Sequence, residues 1–387
     1  MIREKYILEI EKQLRVQPVC ALVGPRQSGK TTLAEQFIAT SKFPAIHWYD
    51  LEDPQDLARL EQPKLSLEKL EGLIVIDEIQ RRPELFPLLR VLVDKNKGKQ
   101  LYLILGIASD QLLQQSSETL AGRIGYIELP PFSITEVHDS HKLWIRGGFP
   151  RSYLAQNEEE SFIWRSNYIK TFLERDIPSL GFRIPAGQLY RFWMMLTGYH
   201  GQLLNASEIG RSLGITDHTV KKYIDILEGT FMIRTLQPWF ANINKRQVKA
   251  PKIYFKDSGI LNTLLNLQSY KDIERHAKLG ALWEGFAMEE IIKNSGLDST
   301  RFFFWRTSNG AEIDLFYRNR NNLIGIEFKY ADAPRITPSM KTAIEDLKLD
   351  RLFIIYPGNK DYPLSDKIHV YELASYLKNY KDLIRFC

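Results

Sequence analysis

The chain has 387 residues, 44% of them apolar and 26% charged, with a net charge of +5. At roughly 150 residues per domain that length allows two or three domains, each able to bury its own core, and the composition excludes a disordered or fibrous chain. No run approaches the ~20 apolar residues of a membrane span, and the opening MIREKYILEIEKQLR is amphipathic and charged, unlike a signal peptide. Cys20 and Cys387 allow neither a disulfide framework nor a cysteine-built metal site. A cytoplasmic protein with no membrane partner is expected.

Short apolar runs occur at Val19 to Val23, Ile46 to Leu51, Leu73 to Ile76, Leu101 to Leu105 and Tyr126 to Leu129, with helical segments between them. The pattern predicts an α/β fold with a parallel sheet covered on both faces and a ligand at the strands' C-terminal ends. The first run breaks into GPRQSGKT and then continues with helical periodicity, the layout of a nucleotide-binding P-loop. Gly24 and Gly29 let the backbone turn so that N–H groups of the loop Gly24, Pro25, Arg26, Gln27, Ser28, Gly29, Lys30, Thr31 and Thr32 enclose phosphates at a helix N-terminus. Lys30 adds a point charge, and the Thr31 hydroxyl is a candidate ligand for Mg²⁺. Further on, EGLIVIDEIQ ends an apolar strand in two acids. There Asp77 would hold the metal through water, and Glu78 would orient and deprotonate the water attacking the γ-phosphate of ATP.

After Pro130 and Pro131 the sheet pattern stops. From about Leu143 to Leu180 the chain turns aromatic and helical, and Trp144, Phe149, Tyr153, Phe162, Trp164, Tyr168 and Phe172 are expected in a core rather than around a ligand. The segment ASEIGRSLGITDHTVKKYIDILEG has helix-turn-helix spacing: a helix near Ala206 to Leu213, a turn at Gly214, and a second helix from Asp217, its expected N-cap. Val220, Ile224 and Leu227 form the inward stripe, with His218, Thr219, Lys221 and Lys222 outward. MIRTLQPW and PKIYF then read as strands around a basic turn, so a winged helix is expected, either a duplex-binding element or a docking or structural module. From Asn242 to Lys256 the chain carries Lys245, Arg246, Lys249, Lys252 and Lys256 with no acid, either a phosphate-attracting patch for DNA at 242–256 or a solvated loop face.

The C-terminal part has the look of a metal-dependent nuclease core. Asp314 would face away from Ile313, Leu315 and Tyr317, and Glu327 and Lys329 would share one face of the next strand, opposite Ile326 and Phe328. Asp314 and Glu327, completed by Glu284 from the preceding helix, would bind Mg²⁺ or Mn²⁺, and Lys329 would polarise a water or stabilise a phosphorane. An exposed hairpin face, its acids paired with Lys329 and Arg318, would give the same pattern.

In the order of these motifs the chain resembles the prokaryotic AAA-type ATPase family whose C-terminal half is a domain of unknown function with a PD-(D/E)xK-like fold. GPRQSGKTTLA, LIVIDEIQ, SSETLAGRIGYIELPPFS, GGFPR, LERDI, the helix-turn-helix segment, AEIDL and IEFKY carry the resemblance over nearly the whole chain. It implies that Arg123 acts on the γ-phosphate, in cis or from a neighbour in a homo-oligomer, although Arg123 could equally tie a helix end to the next strand. Where such ATPases place a polar sensor after the next strand, this chain reads LILGIAS, leaving Ser109 as a substitute. The expected domains are a P-loop ATPase domain at 1–140, a helical connector at 141–185, a winged helix at 186–256, and a small α/β nuclease-like domain at 257–387.

Overall fold

The structure is a computed structural model that describes residues 1–96, 98–107, 118–241 and 245–383. Its first compact unit comprises Met1–Pro131 with Gly229–Phe231, and its second comprises Phe132–Glu228 with Met232–Cys387.

In the first unit all five expected strands form: β1 (Val19–Val23), β2 (Ile46–Asp50), β3 (Gly72–Asp77), β4 (Gln100–Gly106) and β5 (Ile124–Glu128). They pair in parallel in the order β2-β3-β4-β1-β5. Because strand side chains alternate, Val19, Ala21 and Val23 join the core made with Leu85, Phe86, Leu89 and Leu92 of helix α3 (Leu85–Asn96). Cys20 and Leu22 face the opposite core, made with Ile7, Ile10 and Leu14 of α1 (Glu4–Val16) and Leu33, Ala34 and Phe37 of α2 (Lys30–Thr40). Each fully buried aliphatic side chain stabilises these layers by about 1.5–3 kcal/mol. Burial pushes the Cys20 thiol up to about 12, so it is a packing residue. Parallel register puts Val23, Asp50, Asp77, Gly106 and Glu128 at one edge, where a ligand meets the strand ends.

In the second unit, among the described residues, β6 (Gln202–Leu203), β7 (Ile233–Pro238), β8 (Lys252–Phe255), β9 (Phe302–Arg306), β10 (Glu312–Asn319), β11 (Asn322–Phe328), β12 (Arg351–Tyr356), β13 (Tyr362–Pro363) and β14 (Ile368–Glu372) form one sheet. Its order is β13-β14-β12-β11-β10-β9-β7-β8-β6. β7 joins its halves: it pairs with β8 antiparallel and, through Gln237 and Pro238, with β9 in parallel. Trp144, Phe149, Tyr168, Phe172, Trp193, Tyr223, Leu315 and Ile326 all belong to one core. The expected breaks at 185 and 256 are therefore not breaks in packing, and the first break falls near Pro131 because Phe132 and Ile134 pack in the second unit.

Helices α4 (Ala206–Leu213) and α5 (Asp217–Gly229) lie where expected, separated by Gly214 at φ 67°. The N-cap of α5 is Thr216 rather than Asp217: Thr216 Oγ1 accepts from Thr219 N at 3.2 Å, whereas Asp217, already helical, accepts from Ser207 Oγ at 2.6 Å. Val220, Tyr223, Ile224, Ile226 and Leu227 are buried, and His218, Lys221 and Lys222 are exposed.

One expected alternation fails. Ile313 packs with Phe316 in a cluster separate from that of Leu315 and Tyr317, because β10 shifts register against β9 between Ile313 and Phe316. Such a bulge sends the residues on either side of it to different faces.

Candidate functional site

The loop after β1 has the geometry its glycines predict. A Cβ on Gly24 would stand 2.4 Å from Leu129 O, so only glycine fits there, and Gly29 opens α2 at φ 93°. Arg3 clamps the loop from α1's N-cap position, its guanidinium donating to Ser28 O at 3.3 Å and Pro130 O at 3.0 Å. Lys30 Nζ donates to Gly24 O at 3.2 Å and Pro25 O at 2.9 Å. Ser28 Oγ is buried without a hydrogen-bond partner, Arg26 pairs with Glu52 at 2.8 Å, and Gln27, Thr31 and Thr32 are exposed. A cradle that a Cβ would fill, an orphaned hydroxyl, and an ammonium resting on carbonyls fit a polyphosphate.

Across from the loop, Thr31 Oγ1 donates to Asp77 Oδ2 at 2.7 Å, and Asp77 Oδ1 accepts from Glu78 N at 2.8 Å. The hydroxyl and carboxylate expected at the metal are thus in contact, a hard-oxygen pair that fits Mg²⁺. Burial raises the pKa of both acids, and Lys30 opposes it at each. Glu78 itself sits at φ 56°, a conformation in which a non-glycine residue is strained and which marks functional sites.

Gln80 was not singled out by its sequence pattern. Its Nε2 donates to Glu78 Oε2, and its Oε1 accepts from Ile107 N at 3.3 Å. It thereby supplies a polar link between the strand-end glutamate and the end of β4, where Leu105, Gly106 and Ile107 carry no polar side chain. Ser109 lies outside the described residues.

Arg123 is not brought to the loop. It precedes β5 at the end paired with Val19, whereas the loop leaves β1 at Val23 beside Glu128, about 13 Å further along at 3.3 Å per residue. Its guanidinium grips Asp94 of α3 at 2.6 and 3.0 Å, and its Nη1 donates to Ala121 O at 2.9 Å. In this conformation Arg123 forms the structural alternative, a tie between helix and strand.

In the second unit Glu284, Asp314 and Glu327 converge, together with residues the sequence did not assign to this site. Helix α6 (Leu279–Ser295) carries Glu284, which accepts from Tyr254 OH and, at 3.2 Å, from Lys252 Nζ. Lys252 also lies 2.5 Å from Glu312 and 3.7 Å from Asp314. Asp314 Oδ2 accepts from Phe328 N at 2.9 Å, and Lys329 Nζ pairs with Glu327 Oε1 at 2.7 Å. Asp314 and Glu327 are buried while Arg318 is exposed, so this is not an open hairpin face. Burial and the neighbouring carboxylates raise the Asp314 pKa well above the ordinary aspartate value. The signal for Lys252, Tyr254 and Glu312 was the two-residue period: Lys252 and Tyr254 alternate on β8, and Glu312 precedes Asp314 by two.

The cluster does not fit a divalent metal as arranged. Among the described residues no three His, Cys, Asp or Glu side chains come together to hold an ion, and the Lys252 ammonium lies between Glu284 and Asp314. The basic stretch is also altered. Lys252 faces inward and Lys245 pairs with Asp346 at 2.7 Å, leaving Arg246 and Lys249 exposed.

Residues 16–138 match the model described as "AAA domain", so the first unit is an AAA-type P-loop domain, which supports ATP binding. Residues 137–271 and 279–376 match two models described as domains of unknown function, DUF8612 and DUF4143. The chain belongs to the family of the uncharacterized protein Rv2008c of Mycobacterium tuberculosis, to which it is 45% identical over 361 residues, covering 93% of this chain and 81% of that protein. The uncharacterized protein Mb2031c of Mycobacterium bovis matches equally, and a Haemophilus influenzae protein is 25% identical over 59% of this chain and 65% of its own length. Among solved structures, the Walker-type ATPase PABY2304 of Pyrococcus abyssi aligns with a TM-score of 0.46 at 16% identity, over 68% of this chain and 95% of that one. A RuvB of Thermotoga maritima aligns with a TM-score of 0.30 at 18% identity, over 60% and 88% of the two chains. These weak structural likenesses define no further property. No helix among the described residues is long and apolar enough to cross a membrane.

Proposed function

We propose that the chain is a Mg²⁺-dependent ATPase whose nucleotide state is coupled to its C-terminal unit. The observation that carries this reading is the 2.7 Å contact between Thr31 and Asp77 directly beside Lys30 and Glu78. The backbone N–H groups of the loop Gly24 to Thr32, Pro25 excepted, would receive the phosphates, and Lys30 would exchange its carbonyl partners for phosphate oxygens. Thr31 and Asp77 would hold Mg²⁺, which when bound supplies charge neutralisation to the phosphates. Glu78, aimed by Gln80, orients a water and takes its proton.

Release of phosphate from ATP by the full chain tests this. Turnover is expected in wild type, and ATP binding is expected to be lost in Lys30→Ala; unchanged ATP affinity in that variant overturns the site. Gln80→Ala is expected to slow turnover by about 10- to 100-fold while ATP still binds, as loss of a group that orients a functional side chain does. Any action of Arg123 on a nucleotide would be on that of a second copy in a homo-oligomer, and then turnover per chain rises with protein concentration and Arg123→Ala removes the rise.

For the second unit we read α4, α5, β7 and β8 as a winged helix and β9 to β12 with α6 as a PD-(D/E)xK-like fold. Lys252 among the carboxylates favours a nucleotide-gated binding module over a nuclease, and DNA is the proposed partner, met by His218, Lys221, Lys222, Arg246 and Lys249. Lys221→Ala with Lys222→Ala is expected to reduce the salt dependence of duplex affinity, log K against log[salt], by about 2. An unchanged slope would turn the reading toward a protein partner.

A further inference from the structure

We propose that Lys252 is the resident cation of the carboxylate cluster and closes it to divalent metal ions. This rests on reading the cluster as nuclease-like in kind, and it goes beyond that reading by naming what fills the cation position. Lys252 comes from β8, while the acids come from α6, β10 and β11, and its side chain is 4% exposed. Its Nζ stands within 4 Å of carboxylate oxygens of Glu284, Glu312 and Asp314, three acids on two elements.

The charges close almost completely. Glu284, Glu312, Asp314 and Glu327 are faced by Lys252, Lys329 and Arg306, the last 3.3 Å from Glu312. At most one excess negative charge remains, too little to repay the dehydration of a dication in a buried setting. Burial disfavours the Lys252 charge, but Tyr254, Glu284, Asp314 and Glu312 overcome this and raise its pKa well above the ordinary lysine value. One acid oxygen is left over: Glu327 Oε2 is buried without a hydrogen-bond partner. Removing Lys252 would restore the charge deficit and leave that oxygen, with Glu284 and Asp314, open to an ion.

The test is Mn²⁺ binding to the nucleotide-free full chain, read from the electron paramagnetic resonance signal of free Mn²⁺. Lys252→Met is expected to bind one Mn²⁺ more than wild type. Adding Asp314→Asn to that variant should abolish the extra site. If wild type itself binds Mn²⁺ at a site that Asp314→Asn removes, or if folded Lys252→Met gains no site, the proposal is wrong. Should Lys252→Met fail to fold, Lys252→Gln removes the charge, keeps a hydrogen-bond donor among the carboxylates and faces the same two outcomes, and the wild-type measurement stands by itself. ATP turnover in Lys252→Met reports separately on the ATPase reading and is expected to match wild type.

Discussion

Glu78→Gln is expected to lower ATP turnover by about 10²- to 10⁴-fold, the range a positioned general base contributes, while leaving ATP bound. Glutamine keeps the size and one carbonyl oxygen, so the contact with Gln80 Nε2 has an acceptor still, and the Thr31–Asp77 pair is untouched. What is lost is the ability to take a proton. Single-turnover hydrolysis alongside fluorescent-nucleotide binding separates the two effects, and an equal loss of affinity and turnover would show Glu78 to be a binding or folding residue instead. Burial holds the Glu78 pKa above the ordinary 4.5. The acid limb of wild-type turnover should accordingly lie above that pH, and it should vanish in the variant.

Arg234→Ala should destabilise the second unit by about 3–5 kcal/mol, the cost of stranding a buried charge. Arg234 Nη2 donates to Glu289 Oε2 at 3.0 Å, its Nε donates to Glu289 Oε1, and the Glu289 side chain is 3% exposed. Burial works to raise the Glu289 pKa, but Arg234, Lys256 and Lys293 overcome it and leave it below the ordinary 4.5. A carboxylate with a depressed folded pKa contributes stability that is present above the unfolded value and lost as pH falls through the folded one. Without Arg234 the folded pKa moves upward, so the variant's deficit should shrink on acidification below about pH 5. Chemical denaturation at pH 7 and pH 4 reads both effects; a deficit independent of pH would assign the loss to packing of the Arg234 stem.

The strands of the first unit were legible because a parallel sheet buried on both faces needs short, wholly apolar runs, and Val19 to Val23 and Leu73 to Ile76 have that character. The nucleotide site was legible for a related reason: Gly24, Lys30 and Thr31 lie within one loop, and Asp77 and Glu78 end the strand that register sets nearby. Helices α4 and α5 were legible from their stripes and from Gly214. The cap of α5 was misplaced by one residue, because Asp217 and Thr216 are both good caps and only the backbone decides between them.

Residues whose meaning depends on distant partners were not legible. Arg123 carries no mark of the Asp94 it grips, nor of the end of β5 at which it stands. Gln80 follows two acids and gains its role only because β4 brings Ile107 N within reach. Lys252 counted as one charge in a basic run, yet β8 delivers it into a buried group of acids from three other elements.

Chemistry held within a few residues, where spacing alone sets geometry, was therefore determined by the sequence: the parallel sheet, the phosphate loop, the acids at the end of β3 and the helix pair. The tertiary structure decided which end of the sheet Arg123 occupies, that the last three parts of the chain share one core, and that the carboxylates around Asp314 already hold a cation. Pairings of that kind join residues tens to more than a hundred positions apart, and local pattern carries no information about them.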